Sequence, residues 1–103
     1  MTSAHYISLT LEIRREDGQF AAYCRELGTA TCGDTFEEAH KNIVEAVTLD
    51  LNTLEDIGER ERVFKERGIR IQSDRDDKEE AREVTLFPGS WAENRSFPIP
   101  VAQ

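Results

Sequence analysis

The chain of 103 residues predicts one small α+β domain, in which a three-stranded antiparallel meander is packed by one long helix and followed by a further strand. Three observations predict this β-β-β-α-β order: an alternating apolar segment, two turn signals after it, and a long amphipathic pattern with a capping sequence. We expect residues 1–58 to form the core. Residues 59–103 are expected to form an extension with a short helix, a charged loop and an edge strand, packed on the core or swapped between cores.

The first strand is predicted over residues 5–15, because apolar residues alternate there with polar ones and share one face: Ile7, Leu9, Leu11 and Ile13. Asp17 and Gly18 then form a hairpin turn signal. Residues 20–26 predict the second strand and residues 29–33 a shorter third strand. These three segments make the meander.

A long helix is predicted from about Phe36 to Gly58. Thr35 and Glu38 form a capping-box pattern at its start, and Gly58 is a typical C-terminal stop. At 100° per residue, one stripe gathers the residues expected to cover the sheet: Phe36, Ala39, His40, Ile43, Ala46, Val47, Leu51, Leu54 and Ile57. Leu49 projects almost opposite this stripe, so it is either an oligomer contact or a single exposed leucine. Asp50 falls near the middle of the stripe, and the sequence leaves its role open.

The extension carries weaker signals. The pattern predicts a short charged helix over residues 59–67 and a brief strand over residues 69–71. A solvated charged segment is predicted over residues 73–83, followed by a return of order over residues 84–87. Residues 96–101 predict an extended edge segment. Val84 and Leu86 fall where order returns. We expect both, with Leu49, to contact a second copy of the chain.

The net charge of −8 is concentrated in one half of the chain: residues 1–58 hold 11 acidic and 4 basic side chains. Such a field repels phosphate backbones and suits a basic protein partner, with plain solubility as the alternative explanation. No signal-peptide pattern and no apolar run of membrane-spanning length occurs, which predicts a cytoplasmic protein.

The sequence offers no convincing active site. Cys24 and Cys32 would face each other if a hairpin turned about Gly28, but in a reducing cytosol we expect both to be free, small, buried side chains. A Cys24–His40 nucleophile pair is disfavoured because His40 falls on the core stripe. The acidic side chains do not converge as two-metal hydrolysis requires, and no metal-ligand spacing occurs. We therefore predict no catalysis, no cofactor and no metal.

Two motifs carry a family resemblance: Tyr23-Cys24-x-Glu26-Leu27 and Gly33-Asp34-Thr35-x-Glu37-Glu38-Ala39. At this spacing, and followed by a helix, they resemble the HicB-like antitoxins of bacterial toxin–antitoxin pairs. The resemblance covers residues 5–58. It implies a partial ribonuclease H-like fold without the catalytic carboxylates, self-association as a dimer or tetramer, and binding of HicA, a small basic toxin that cleaves messenger RNA.

An acidic surface can mimic phosphate and attract a basic nuclease. Our hypothesis is that four carboxylates around the strand-to-helix hinge form part of the toxin-binding surface: Glu26, Asp34, Glu37 and Glu38. Turn and capping duties are the alternative for these side chains. Arg25 stands where the family usually has proline. Residues 59–103 show no C-terminal DNA-binding module, so direct DNA binding is not expected. The competing hypothesis is an orphan oligomeric binding or scaffold module without a toxin.

Overall fold

The computed structural model describes residues 5–73, 82–84 and 90–99. The elements follow the order β1 (His5–Glu16), β2 (Gln19–Cys24), β3 (Ala30–Gly33), α1 (Phe36–Asp56), α2 (Arg60–Arg67), β4 (Gln72–Ser73), β5 (Arg82–Val84) and β6 (Ser90–Ile99). The predicted α+β class is confirmed, with its antiparallel meander, its long helix and its further C-terminal strand. The likeness to a partial ribonuclease H fold stays a prediction.

The strands form one antiparallel sheet in the order β3-β2-β1-β6-β5, and β4 pairs with the start of β1. The strand β6 pairs with β1 along its whole length, with Ile7 opposite Phe97. The expectation of an edge strand over residues 96–101 was wrong for β6 as a whole, because it begins at Ser90 and lies between β1 and β5.

Pro98 shows how this interior strand accommodates a proline. It lies opposite Tyr6 of β1. The carbonyl of Thr10 accepts from the N–H of Arg25, so its backbone groups face β2 instead of β6. Tyr6 lies an even number of residues before Thr10 on the same strand, so its N–H and carbonyl also face away from β6. The backbone nitrogen of Pro98 therefore faces away from β1, so its missing N–H removes no hydrogen bond between β1 and β6. The described pairs between β5 and β6 stop at Asn94, so Pro98 lies past them.

The turn between β1 and β2 follows the sequence signal. Asp17 and Gly18 have φ angles of 51° and 79°, the left-handed conformation that both central residues of a type I′ hairpin turn require. The hairpin places Glu16 opposite Gln19. The predicted Asp-Gly turn is confirmed.

The core lies between α1 and one face of the sheet. Its most buried side chains come from β1, β2, α1, α2 and β6: Ile7, Leu9, Leu11, Ile13, Ala22, Cys24, Ala39, Ile43, Val47, Leu51, Phe64, Phe97 and Ile99. Ile57 was expected on this stripe but is 61% exposed. It caps the helix after Asp56, and the chain turns away at Gly58, so its side chain never reaches the sheet.

The pairing of β2 with β3 differs from the predicted one. Cys32 lies opposite Ala21, while the N–H of Cys24 donates to the carbonyl of Thr29. The register expected from a hairpin about Gly28 was therefore wrong by three residues, because the turn spans Cys24 to Thr29 and Cys24 faces Thr29 instead of Cys32. Both cysteines are free, but only Cys24 is buried and Cys32 is exposed.

The extension is partly as expected. The short charged helix is α2, and Gly68 ends it with a φ of 71°. Residues 69–71 are not a strand: the N–H of Ile69 donates to the carbonyl of Phe64 and so completes the end of the helix. The solvated segment predicted over residues 73–83 was wrong at both of its ends, because Ser73 belongs to β4 and residues 82–83 pair with β6 as part of β5. The predictions for residues 74–81, 85–89, which include Leu86, and 100–101 lie outside the described residues.

Within the described ranges, neither helix combines the length and the apolar character that crossing a membrane would require.

Candidate partner-binding surface at the start of α1

The hinge between β3 and α1 depends on the absence of a side chain at Gly33. A Cβ atom built on Gly33 would lie 2.5 Å from the backbone nitrogen of Ala39. The last residue of β3 therefore lies against the first turn of α1. This close approach of two backbone segments explains why glycine ends the strand.

The first turn of α1 is held by reciprocal hydrogen bonds. The hydroxyl of Thr35 accepts from the N–H of Glu38 at 3.1 Å. In return, the carboxylate of Glu38 accepts from the N–H of Asp34 at 2.7 Å. The predicted capping box is confirmed, with Asp34 supplying the second donor. Glu38 therefore has a structural task in addition to any role at the surface.

Asp34 and Glu37 present the carboxylates that this hinge leaves to solvent. Both residues are exposed. Among the described residues, neither carboxylate takes part in an ion pair or a side-chain hydrogen bond. Two negative charges thus lie beside the first turn of α1 with no ion-pair partner among the described residues.

Glu26 lies elsewhere. Its carboxylate accepts from the N–H of Thr10 at 2.8 Å and from the hydroxyl of Thr10 at 2.9 Å, which satisfies the edge of β1 where β2 has ended. Gly33 pairs with Phe20 at the opposite end of the β2–β3 hairpin. Glu26 follows the far end of β2, and the strand from Phe20 to Cys24 alone spans about 13 Å. The structure brings together Asp34, Glu37 and Glu38, but not Glu26.

The predicted oligomer contacts are also separated. Leu49 is 65% exposed on the outer side of α1, as the helical projection indicated. Val84 belongs to β5, where it pairs with Ala92, and Leu86 lies outside the described residues. Of these three residues, Leu49 is the one whose exposure the structure describes.

The sequence analysis missed a polar cluster beside the start of α1. The carboxylate of Glu93, which is 7% exposed, lies 3.0 Å from Nε2 of His40 and 3.3 Å from Nη1 of Arg95. The ring of Trp91 packs edge-on against both His40 and Phe36. His40 and Glu93 are 53 residues apart, so no local pattern pairs them. The cluster fixes α1 to β6 through a buried carboxylate, each of whose oxygens has a polar partner.

The side chains considered for catalysis have structural partners. Burial raises the pKa of the Cys24 thiol to about 11, so Cys24 is protonated and poorly nucleophilic at neutral pH. His40 contacts Glu93 rather than Cys24. Asp50, whose role was open, accepts a hydrogen bond from the hydroxyl of Thr29. Across residues 5–73, 82–84 and 90–99, no three His, Cys, Asp or Glu side chains gather as metal ligands.

Comparison of the chain with family models, with curated proteins and with solved structures finds no match in any of the three. The two motifs and the surface at the hinge therefore provide the support for a function.

Proposed function

We propose that this chain is a cytoplasmic antitoxin-like protein, without catalytic activity of its own, that binds and neutralises a small basic HicA-type toxin. The motif resemblance supplies the partner class. The observation that carries the proposal is the pair of solvent-exposed carboxylates of Asp34 and Glu37 at the start of α1.

Electrostatics support this surface as the contact for a basic nuclease. An RNA-cleaving protein must attract phosphates, and a carboxylate surface presents the same sign of charge. The positive end of a helix dipole amounts to only about half an elementary charge, so it does not cancel the charges of Asp34 and Glu37. The hinge is also rigid, because Gly33 packs on Ala39 and the capping bonds fix the first turn. A preformed acidic surface binds without a large ordering cost.

The test begins by expressing the tagged chain in its native host and identifying proteins that co-purify at near-equal stoichiometry after a moderate salt wash. We expect a small basic protein whose messenger-RNA cleavage stops when this chain is added. Replacing Asp34 and Glu37 with lysine should weaken that complex by more than about tenfold, because like charges facing each other across an interface cost several kcal/mol. Neither side chain has an ion-pair partner among the described residues. The free energy of unfolding should therefore fall only by the lost helix-dipole interaction, about 0.3–1 kcal/mol for each charge.

The matched control makes the same charge change elsewhere. Asp56 and Glu61 are exposed at the other end of α1 and on α2, and replacing both with lysine alters the net charge equally. We expect this control to retain the complex apart from a general salt-dependent weakening. Equal losses in the two double variants would refute a specific surface at the hinge.

A second candidate function is the orphan oligomeric binding or scaffold module. The exposure of Leu49 and Ile57, at 65% and 61%, favours it because both apolar side chains are open to another surface. Recovery of the chain alone, as an oligomer, would support this module over the antitoxin. Direct DNA binding belongs to neither proposal.

A further inference from the structure

A pocket of about 240 Å³ opens at the end of the sheet where α1 begins. Strand pairing assembles it, because Arg15 lies opposite Phe20 and Ile13 lies opposite Trp91. The first residue of α1 is Phe36, so this helix leaves that end of the sheet open. The lining residues are Ile13, Arg15, Phe20, Phe36, Ser90 and Trp91.

Three aromatic rings form walls of this pocket. The ring of Phe36 is nearly perpendicular to both of its neighbours, at 86° to Phe20 and 87° to Trp91. The ring centroids lie 6.3 Å apart for the first pair and 5.0 Å apart for the second. The faces of aromatic rings carry partial negative charge and attract cations. The walls therefore favour a positively charged occupant over an anion.

One of these rings already holds a cation. The guanidinium carbon of Arg15 lies 5.8 Å from the ring centroid of Phe20, within the range of a cation–π contact. Arg15 is exposed, so its side chain can move into solvent when another cation enters. The contact shows that a guanidinium fits against this wall.

Carboxylates outnumber this guanidinium at the margin of the pocket. Asp17 follows Arg15 by two positions, and Asp34 and Glu37 flank Phe36 in the chain. All three acidic side chains are exposed. An apolar pocket with an acidic margin matches a partner that carries positive charge.

We infer that this pocket receives an arginine side chain of a basic partner protein. The inference rests on the proposed function for the identity of that partner. A guanidinium stacks on aromatic rings and pairs with carboxylates, whereas the lysine ammonium is a more strongly hydrated point charge. The volume suits one side chain, since it lies between the roughly 150 Å³ of a cavity that binds benzene and the roughly 300 Å³ of the smallest ligand sites.

The test titrates the purified full-length chain with N-acetyl-arginine amide and follows the fluorescence of Trp91, the only tryptophan in the chain. We expect saturable binding with a Kd in the millimolar range, because one side chain makes few contacts. N-acetyl-leucine amide and N-acetyl-glutamate amide, at the same ionic strength, should each bind at least about threefold more weakly. Equal or tighter binding of either control, or no saturable binding of the arginine probe below about 100 mM, would overturn the inference.

Arg15→Gln gives a change whose sign identifies the charge of the occupant. Removing the resident guanidinium frees the ring of Phe20 and should tighten binding of the arginine probe by about twofold to fivefold. A site for an anion would instead lose affinity, and misfolding cannot produce a gain. Unchanged or weaker binding of the arginine probe by Arg15→Gln would contradict the inference.

Phe36→Leu tests the aromatic wall, because it keeps an apolar side chain and removes the ring. It should weaken binding of the arginine probe by about threefold or more with an unchanged circular dichroism spectrum. Tyr23→Leu is the matched control. Tyr23 lies between the buried residues Ala22 and Cys24 of β2, so it projects from the opposite face, where its ring contacts Arg14 at 5.0 Å. This control should bind the probe as the natural protein does.

The same variants separate this inference from the proposed function. Binding of the arginine probe as expected, without a toxin in the co-purification, would support the pocket and refute the antitoxin function. A toxin complex that Phe36→Leu leaves as tight as that of the natural protein would overturn the pocket as an arginine site and retain the antitoxin function.

Discussion

The hairpin of β1 and β2 and the strand β6 belong to one sheet, but they are specified in different ways. The hairpin is defined locally: alternation sets its faces, and Asp17 and Gly18 set its turn. The strand β6 is defined by its register with β1, from which it is separated by most of the chain. The motif-bearing half therefore completes its core only when a strand outside the motifs inserts beside it.

This difference shows that the motifs alone do not describe the folding unit. Phe97 and Ile99 bury their side chains with those of β1 and α1. The Glu93 carboxylate connects the same strand to His40 on α1. The acidic hinge proposed to bind a partner is thus supported from both sides, by β3 before it and by β6 beneath it.

The largest effect should come from removing the main apolar anchor of β6. Phe97 is 3% exposed and lies opposite Ile7. Phe97→Ala should lower the free energy of unfolding by about 3–5 kcal/mol, because the substitution loses buried apolar area and leaves a cavity. Urea unfolding followed by circular dichroism measures it. The neighbouring Ser96→Ala, at an exposed position on the other face, should change stability by less than about 0.5 kcal/mol.

That comparison fails if the two strands are independent. A loss below that of Ser96→Ala would mean that β6 does not share a cooperative core with β1. A two-step unfolding curve of the natural protein would mean the same, with the motif half melting separately.

The sequence predicted what local chemistry determines and missed what long-range pairing determines. Thr35 and Glu38 predicted the start of α1, because the hydrogen bonds of a helix cap form between residues that are close in sequence. The start of β6 was missed because Glu93 and Arg95 occupy the face that packs on α1, where alternation predicts apolar residues. The buried carboxylate of Glu93 is hydrogen-bonded to His40, which lies 53 residues earlier in the chain, so the sequence near residue 93 does not show this partner.

The candidate surface follows the same division. Asp34 and Glu37 lie together because they belong to one local turn. Glu26 was grouped with them by its motif, but it lies at the other end of the hairpin, where it contacts Thr10. The two motifs are close in sequence, but β2 and β3 separate Glu26 from Asp34 and Glu37 in space, because the turn with Glu26 and the hinge lie at opposite ends of this hairpin.

A smaller effect than that of Phe97→Ala should come from the hinge. Gly33→Ala brings a Cβ within 2.5 Å of the Ala39 nitrogen, and its neighbours there are backbone atoms that cannot rotate away. We expect a loss of about 1–3 kcal/mol in the free energy of unfolding, typical of overpacking. Adding Ala39→Gly should give no rescue, since removing the Ala39 side chain leaves its nitrogen in place. A rescue would show that side chains, rather than the backbone approach, require glycine at this position.

The smallest expected effect on stability near neutral pH comes from the two cysteines. Cys24 is buried in β2, whereas Cys32 is exposed in the edge strand β3. Burial raises the pKa of the Cys24 thiol from 9.0 to about 11. In the unfolded chain the thiol ionises near its ordinary pKa, so the unfolded state binds fewer protons between these values. The stability that Cys24 contributes is therefore complete below about pH 9 and is lost as the pH rises towards 11.

Urea unfolding at about pH 8 and about pH 10 measures this effect. Between the two pH values the natural protein should lose more free energy of unfolding than Cys24→Ala. Cys32→Ala, at an exposed site, should show the same pH dependence as the natural protein. Parallel pH slopes for the natural protein and Cys24→Ala would mean that the folded protein lets water reach Cys24. That result would contradict the close packing of α1 on β2.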